Sequence, residues 1–288
     1  MKKIIFIALL ISPFSRNFSQ GYFYKQFINC VIMLEKEDSI GNLEPHGTGI
    51  CLYNYKDPEK STVVTCAHVL RNKYVHIKVP LTDSGILYLS QNKTLTIEDH
   101  NSFWTFDGYN IETKFELNKG KTFLTNDSLD IGVFNIYLPN GIVNNKDTIK
   151  ITNFSPIFRT WIKTKDQVDL GTSIDFLGFP FDIGSKKGFF NFGIYADDKI
   201  NPLLRTGVIA WKSNKNKDFL IDGISYGGNS GSPVFTQAGA FGEKPGFIGM
   251  VLGHLSDLRY DPNVADFNYG LVRCVWVDEI LKLVDKLK

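Results

Sequence analysis

The sequence has almost no excess charge: 32 basic residues stand against 30 acidic ones over 288 positions, a net of +2. Nucleic acid is held by clustered Lys and Arg, so this balance gives no electrostatic case for that partner. Cysteine and histidine are scarce, at four and five residues. They form no Cys-x-x-Cys and no His-Glu-x-x-His, so the spacing fits no zinc pattern, and no metal or other cofactor is expected. Past the first dozen residues no apolar run is long enough to be a membrane-spanning helix. No internal repeat or low-complexity segment is evident.

What is present suits a β-rich globular protein. The apolar share of 43% allows a sizeable core, in one two-lobed domain or two small ones, and the aromatic share of 14% favours strands. Residues 1–20 are read apart from the rest. Lys2 and Lys3 precede the apolar run Ile4 to Ile11, which breaks at Ser12-Pro13 and is followed by polar residues to Gln20. That is the layout of a secretory signal, with an apolar core too short to span a bilayer stably. Cleavage near Ser19, Gln20 or Gly21 is expected, and with it a periplasmic or extracellular location. No cysteine directly follows the apolar run, so no stable membrane anchor is expected. Export permits disulfides, and a bridge between Cys51 and Cys66 would stiffen the strands leading to His68.

The most informative stretch is Tyr226-Gly227-Gly228-Asn229-Ser230-Gly231-Ser232-Pro233-Val234-Phe235. An alcohol is a poor nucleophile at neutral pH. A catalytic serine must therefore be exposed, near a base, and close to donors that receive the charge formed on the substrate. A tight turn through Gly227 and Gly228 can aim amides inward, and Gly231 leaves room for an acyl group. If Ser230 attacks, the N–H groups of Gly228 and Ser230 are the natural oxyanion donors. Ser232 is a second serine in the stretch, but it lacks the preceding Gly-x pair. A glycine-flanked serine alone is usually just a turn, so the reading needs partners. One is His68, which ends the β-branched run Val63-Val64-Thr65-Cys66-Ala67. Another is Asp130, which opens the alternation Ile131-Gly132-Val133-Phe134. Asp127 is the alternative acid, in a turn just before it.

The order His, Asp, Ser and the blocks Thr65-Cys66-Ala67-His68, Asp130-Ile131-Gly132-Val133 and Gly228-Asn229-Ser230-Gly231-Ser232-Pro233 resemble the trypsin-like serine peptidases. The likeness is greatest to the bacterial HtrA-like and glutamyl-endopeptidase-like branch, without a PDZ domain. Gly47-Thr48-Gly49, Asp175 to Pro180, Thr206 to Ile209 and Phe247 to Val251 agree with it. The resemblance implies an all-β fold of two six-stranded antiparallel β-barrels. Residues 21–146 would form the lobe with His68 and Asp130, and 147–288 the lobe with Ser230. It also implies a secreted serine endopeptidase acting on polypeptides through an acyl-enzyme. His68 would be the base and Asp130 would hold its tautomer. An acid precedes the nucleophile in the digestive enzymes and pairs with a newly cut amine. Here that position is Asn229, so no such ion pair is expected.

The residues 277, 280, 281 and 284 repeat at helical spacing, which predicts a terminal amphipathic helix. Strands are expected at Tyr74 to Val79, Gly85 to Leu89, Leu170 to Phe179, Gly188 to Tyr195, Leu203 to Lys212 and Phe219 to Asp222. Lys36 to Pro45 reads as a polar loop. For specificity, Ile224 stands six residues before Ser230, where an acid would select Arg or Lys. Met250, Leu252 and His254 are expected near the opposite wall, where His254 would favour an acidic side chain or else be a surface loop residue. Two other classes compete. A peptidase-derived binding module would keep the fold without turnover. An α/β-hydrolase would require the order Ser, Asp, His, which this chain reverses.

Overall fold

The computed structural model describes residues 27–72, 74–91, 97–99, 102–106, 108–118, 122–138, 141–144, 147–180, 200–213, 215–239, 243–256 and 268–287. The signal segment and the strand expected over 188–195 lie outside the described residues. The first half of the chain supplies β1 (Val31–Glu37), β2 (Leu43–Tyr53), β3 (Ser61–Cys66), β4 (Tyr74–Pro80), α1 (Asp83–Gln91), β5 (Ile97–Asp99), β6 (Ser102–Phe106), β7 (Asn110–Glu116), β8 (Phe123–Asn126) and β9 (Ile131–Ile136). Its strands form one antiparallel sheet in the order β5-β6-β7-β4-β1-β2-β3-β9-β8. The hairpin β10 (Gly141–Asn144) and β11 (Asp147–Lys150) follows.

Two local readings change. Lys36 to Pro45 is half strand, because Lys36 and Glu37 pair with Glu44 and Leu43. Only 38–42 turns, held by the Asp38 carboxylate, which accepts the N–H groups of Ile40 at 2.9 Å and Asn42 at 2.8 Å. Gly85 to Leu89 is not a strand but lies inside α1. Thr82 Oγ1 accepts the Gly85 N–H at 2.9 Å and the Thr82 carbonyl accepts the Ile86 N–H at 2.9 Å. This N-terminal cap fixes a helix that the apolar composition alone did not signal.

The second half forms a closed antiparallel barrel from β12 (Ser173–Gly178), β13 (Leu203–Lys212), β14 (Asp218–Asp222), β15 (Pro233–Thr236), β16 (Phe247–Ser256) and β17 (Asn268–Trp276), in the order β12-β13-β14-β17-β16-β15. Its interior is filled by Ile174, Phe176, Phe219, Ile221, Val272 and Trp276, among others. Helix α2 (Val277–Val284) follows at once and buries Val277, Ile280 and Leu283. These join a larger core that includes Ile32, Val63 and Phe134 of the first sheet and Phe235, Met250 and Val275 of the barrel. A closed six-stranded barrel beside a curled sheet, ending in a helix, is an all-β architecture like the trypsin-like fold, but where a second six-stranded barrel was expected the described strands of the first half form one nine-stranded sheet.

Candidate active site

Ser230 lies between β14 and β15, on a loop that needs glycine at two positions, 228 and 231. The Asn229 N–H bonds the Tyr226 carbonyl at 3.1 Å, and Gly228 between them has φ +88°. A positive φ at the third position of such a turn marks type II geometry, which favours glycine. Gly231 has φ +92°, and a Cβ there would lie 1.8 Å from the Thr48 carbonyl oxygen. The loop is thus pressed against β2. The Thr48 N–H donates to the Ser230 carbonyl at 2.8 Å, and Thr48 Oγ1 donates to the Gly228 carbonyl at 2.8 Å. Thr48 Oγ1 also accepts the Phe179 N–H at 3.1 Å, while the Thr48 carbonyl accepts Thr65 Oγ1 at 2.7 Å. Among the described residues neither the Gly228 nor the Ser230 amide donates to a protein acceptor.

His68 follows β3 in a 3-10 turn, Ala67–Leu70. Asp130 ends the turn before β9 at φ 54°, the single non-glycine residue in the left-handed region among those described. Asp tolerates that conformation better than most residues. Its carboxylate meets His68 twice: Oδ1 accepts the His68 main-chain N–H at 2.9 Å, and Oδ2 lies 2.6 Å from Nδ1. The Ala67 N–H also bonds the Asp130 carbonyl at 3.0 Å. Asp127 is exposed, so Asp130 is the acid that meets the imidazole. Ser230 Oγ donates to the Leu252 carbonyl at 3.3 Å, and no hydrogen bond to His68 is formed in this state. Gly47 nonetheless ties the parts together, since a Cβ on it would meet both Val69 at 2.8 Å and the Ser230 carbonyl at 3.2 Å. Ser232 is fully buried and cannot reach a substrate.

No protein-family model matches this sequence, and no curated protein does. Among solved structures it is similar to one described as a thermostable serine protease, AL20, from an extremophilic microorganism. The match covers 86% of this chain and 91% of that one, at 13% identity and a TM-score of 0.41.

Two neighbours of the site gave little signal in the sequence. His46 is left unpaired by the register shift that sets Leu34 opposite Gly47 and Glu35 opposite Pro45. Burial, with the charges of Lys36 and His68, pushes its pKa down to about 4, an effect that the nearby His68 main chain opposes. Arg205 of β13 donates through Nη1 to the Ile224 carbonyl at 3.0 Å and lies over the Tyr226 ring at 4.4 Å from its centroid. It thereby holds the segment that leads into the Ser230 loop. Burial lowers its pKa, an effect that the neighbouring Tyr226 opposes.

Of the four specificity candidates, Ile224 is 51% exposed and Met250 is fully buried. Met250 pairs with Pro233 and Val275 within the core, so its side chain does not line a cleft. Leu252 is buried too, and meets Ser230 through its carbonyl instead. His254 is half-buried on β16 opposite Val272, on a strand and not in a surface loop.

All four cysteines are free thiols and buried. The β2–β3 register sets Cys51 opposite Val63, which leaves Cys66 out of line for the bridge considered above. Cys66, His68 and Asp130 are also the one group of potential metal ligands among the described residues, with donor atoms within 4.8 Å of one another. Nδ1 and Oδ2 already face each other, and burial pushes the Cys66 thiol well above the usual range. The donor set serves the His–Asp pair.

Proposed function

We propose that this chain is a serine endopeptidase that cleaves peptide bonds through Ser230, His68 and Asp130. The observation that supports it most is the double contact of Asp130 with His68, at 2.6 Å to Nδ1 and 2.9 Å to the main-chain N–H. A carboxylate on Nδ1 selects the tautomer whose Nε2 is free to accept a proton. His68 takes the Ser230 proton as the oxygen attacks the substrate carbonyl, and Asp130 stabilises the imidazolium that forms. The amides of Gly228 and Ser230 receive the oxyanion. His68 then protonates the leaving amine, and water hydrolyses the acyl-enzyme by the same steps in reverse.

The protein would be exported, since Lys2, Lys3 and the apolar run after them have the form of a secretory signal. Within the family it would stand with the bacterial HtrA-like and glutamyl-specific branch. Ile224 carries no negative charge, so a preference for Arg or Lys is not expected.

One observation favours the alternative of a binding module without turnover: Ser230 Oγ bonds the Leu252 carbonyl and not the imidazole. Catalytic hydrogen bonds are often long in the free enzyme and tighten around substrate. A fluorophosphonate probe decides between the two readings. It should label the wild-type protein at Ser230, and Ser230→Ala should abolish labelling and lower peptide hydrolysis by about 10³-fold or more. A wild-type protein that resists the probe, or labelling unchanged in Ser230→Ala, would rule the endopeptidase out.

A further inference from the structure

We propose that Arg205 selects the substrate, so that the site accepts an acidic side chain, Glu or Asp, on the residue whose carbonyl is attacked. The inference rests on the endopeptidase reading and gives it a substrate class.

Arg205 enters the barrel from its inner face, at the end that carries the nucleophile. It is the third residue of β13 and stands opposite Phe176, and directly opposite residues of an antiparallel pair share a face. Phe176 belongs to the barrel interior, so Arg205 lies on that side, at the mouth. The same end abuts the Ser230 loop. Gly178 pairs with Leu203, and a Cβ on Gly178 would lie 2.0 Å from Ser232 Oγ and 2.6 Å from Asn229 Oδ1. The guanidinium lies over the Tyr226 ring, and the Tyr226 carbonyl accepts the N–H of Asn229, the residue before the nucleophile. Across the mouth is β16, whose Leu252 carbonyl accepts Ser230 Oγ and whose His254 stands opposite Val272 of the barrel interior. A residue attacked at Ser230 brings its side chain to this mouth, between Arg205 and β16.

A half-buried arginine ordinarily meets a carboxylate. Among the described residues Arg205 meets none. Nη1 donates to the Ile224 carbonyl at 3.0 Å, the ring of Tyr226 lies beneath, and Nε is buried without a hydrogen-bond partner. The acids of the adjoining strands face away. Asp175 precedes Phe176, so it points outward, where it accepts Gln237 Nε2 at 2.7 Å, and Asp222 is exposed opposite Val208. The guanidinium has five N–H groups, and its charge is left for a ligand. A carboxylate forms charge-assisted bonds with it, a neutral amide of the same shape forms weaker ones, and an ammonium is repelled.

The competing role is structural, since Arg205 also holds the segment that leads into the Ser230 loop. Quenched peptides that differ only in the residue before the cut separate the two roles. Wild type should cleave after Glu with kcat/KM about 30-fold above the Gln peptide, and the Lys peptide should be the poorest. Arg205→Gln should bring the Glu-to-Gln ratio to within about threefold of one, and Arg205→Glu should invert the order of Glu and Lys. A purely structural role lowers all peptides alike and leaves the ratios in place. That outcome, or a wild type that cuts after Gln as well as after Glu, overturns the inference. A ratio kept in Arg205→Gln but lost in His254→Gln overturns it too, and assigns the selection to His254.

Binding distinguishes failure of this inference from failure of the endopeptidase reading. Peptides ending in Glu or in Gln are titrated against wild type and Arg205→Gln by fluorescence anisotropy, which needs no turnover. The Glu peptide should bind wild type about tenfold more tightly than the Gln peptide, and equally to it in the variant. That result without fluorophosphonate labelling keeps the Arg205 site and removes the endopeptidase. Labelling with equal binding of both peptides to wild type keeps the endopeptidase and removes the Arg205 site.

Discussion

His46 shows how one residue couples the site to the stability of the protein. Its pKa of about 4 in the fold lies well below the ordinary histidine value near about 6.5. The fold thus favours the neutral ring. Above about pH 6.5 neither folded nor unfolded chain protonates it, and stability is full. As pH falls from there toward 4, the unfolded chain binds a proton that the folded chain does not, and stability is lost. Allowing for partial exposure of the ring, the loss is about 1–2 kcal/mol. His46→Gln should remove this sensitivity: in urea unfolding at pH 7 and pH 4.5, the wild type should lose about 1 kcal/mol more than the variant. Equal losses would show that the ring titrates alike in both states.

Among the elements, β2 does most to set the nucleophile, through Thr48. One hydroxyl donates to the Gly228 carbonyl and accepts the Phe179 N–H, while the main chain on either side bonds Ser230 and Thr65. Thr48→Val keeps the shape but leaves the Gly228 carbonyl and the Phe179 N–H without that partner in a buried place. The stability cost is about 1–3 kcal/mol. Loosening the turn should also lower kcat/KM about tenfold, and Thr48→Ser should restore most of both. Urea midpoints and peptide hydrolysis measure the two effects; a Val variant equal to wild type in each would mean that the turn holds itself.

This element also marks what the sequence could tell. The blocks around His68, Asp130 and Ser230 were legible, because each combines a chemistry-bearing side chain with a strand rim or a glycine turn. Gly47-Thr48-Gly49 was visible only as a block, since its partners are 180 or so residues away and set by packing. Helix α1 was missed because Ile86, Leu87 and Leu89 suit a strand equally well, and the deciding cap at Thr82 is a local hydrogen bond. Met250 was misplaced for a related reason: strand alternation says that neighbours face opposite ways, but not which face is the cleft.

At the scale of the whole molecule, the question is whether the two halves unfold together. Proteins of this size with two lobes can melt in two steps. Here the larger core takes side chains from both, with Phe27 stacked on Phe235 at 3.8 Å and Ile280 of α2 buried in the same cluster as Ile32 and Val63. Polar contacts cross as well. Thr48 bonds Ser230, Cys66 bonds Val251, and Lys56 Nζ donates to the carbonyls of Asp285 and Leu287 at 2.9 Å each, satisfying the open end of α2. A lobe that unfolded alone would expose its side of that core and leave these groups unpaired in the other. We therefore expect one calorimetric transition, with the measured enthalpy equal to the van't Hoff enthalpy. Ile280→Ala, a buried truncation worth about 2–5 kcal/mol, should lower that single transition by about 5–15 °C without splitting it. Two resolved peaks, or a variant in which only part of the signal moves, would mean that the shared core does not couple the halves. The site at the seam, with Ser230 on one half and His68 and Asp130 on the other, would then depend on docking of the halves as well as on folding.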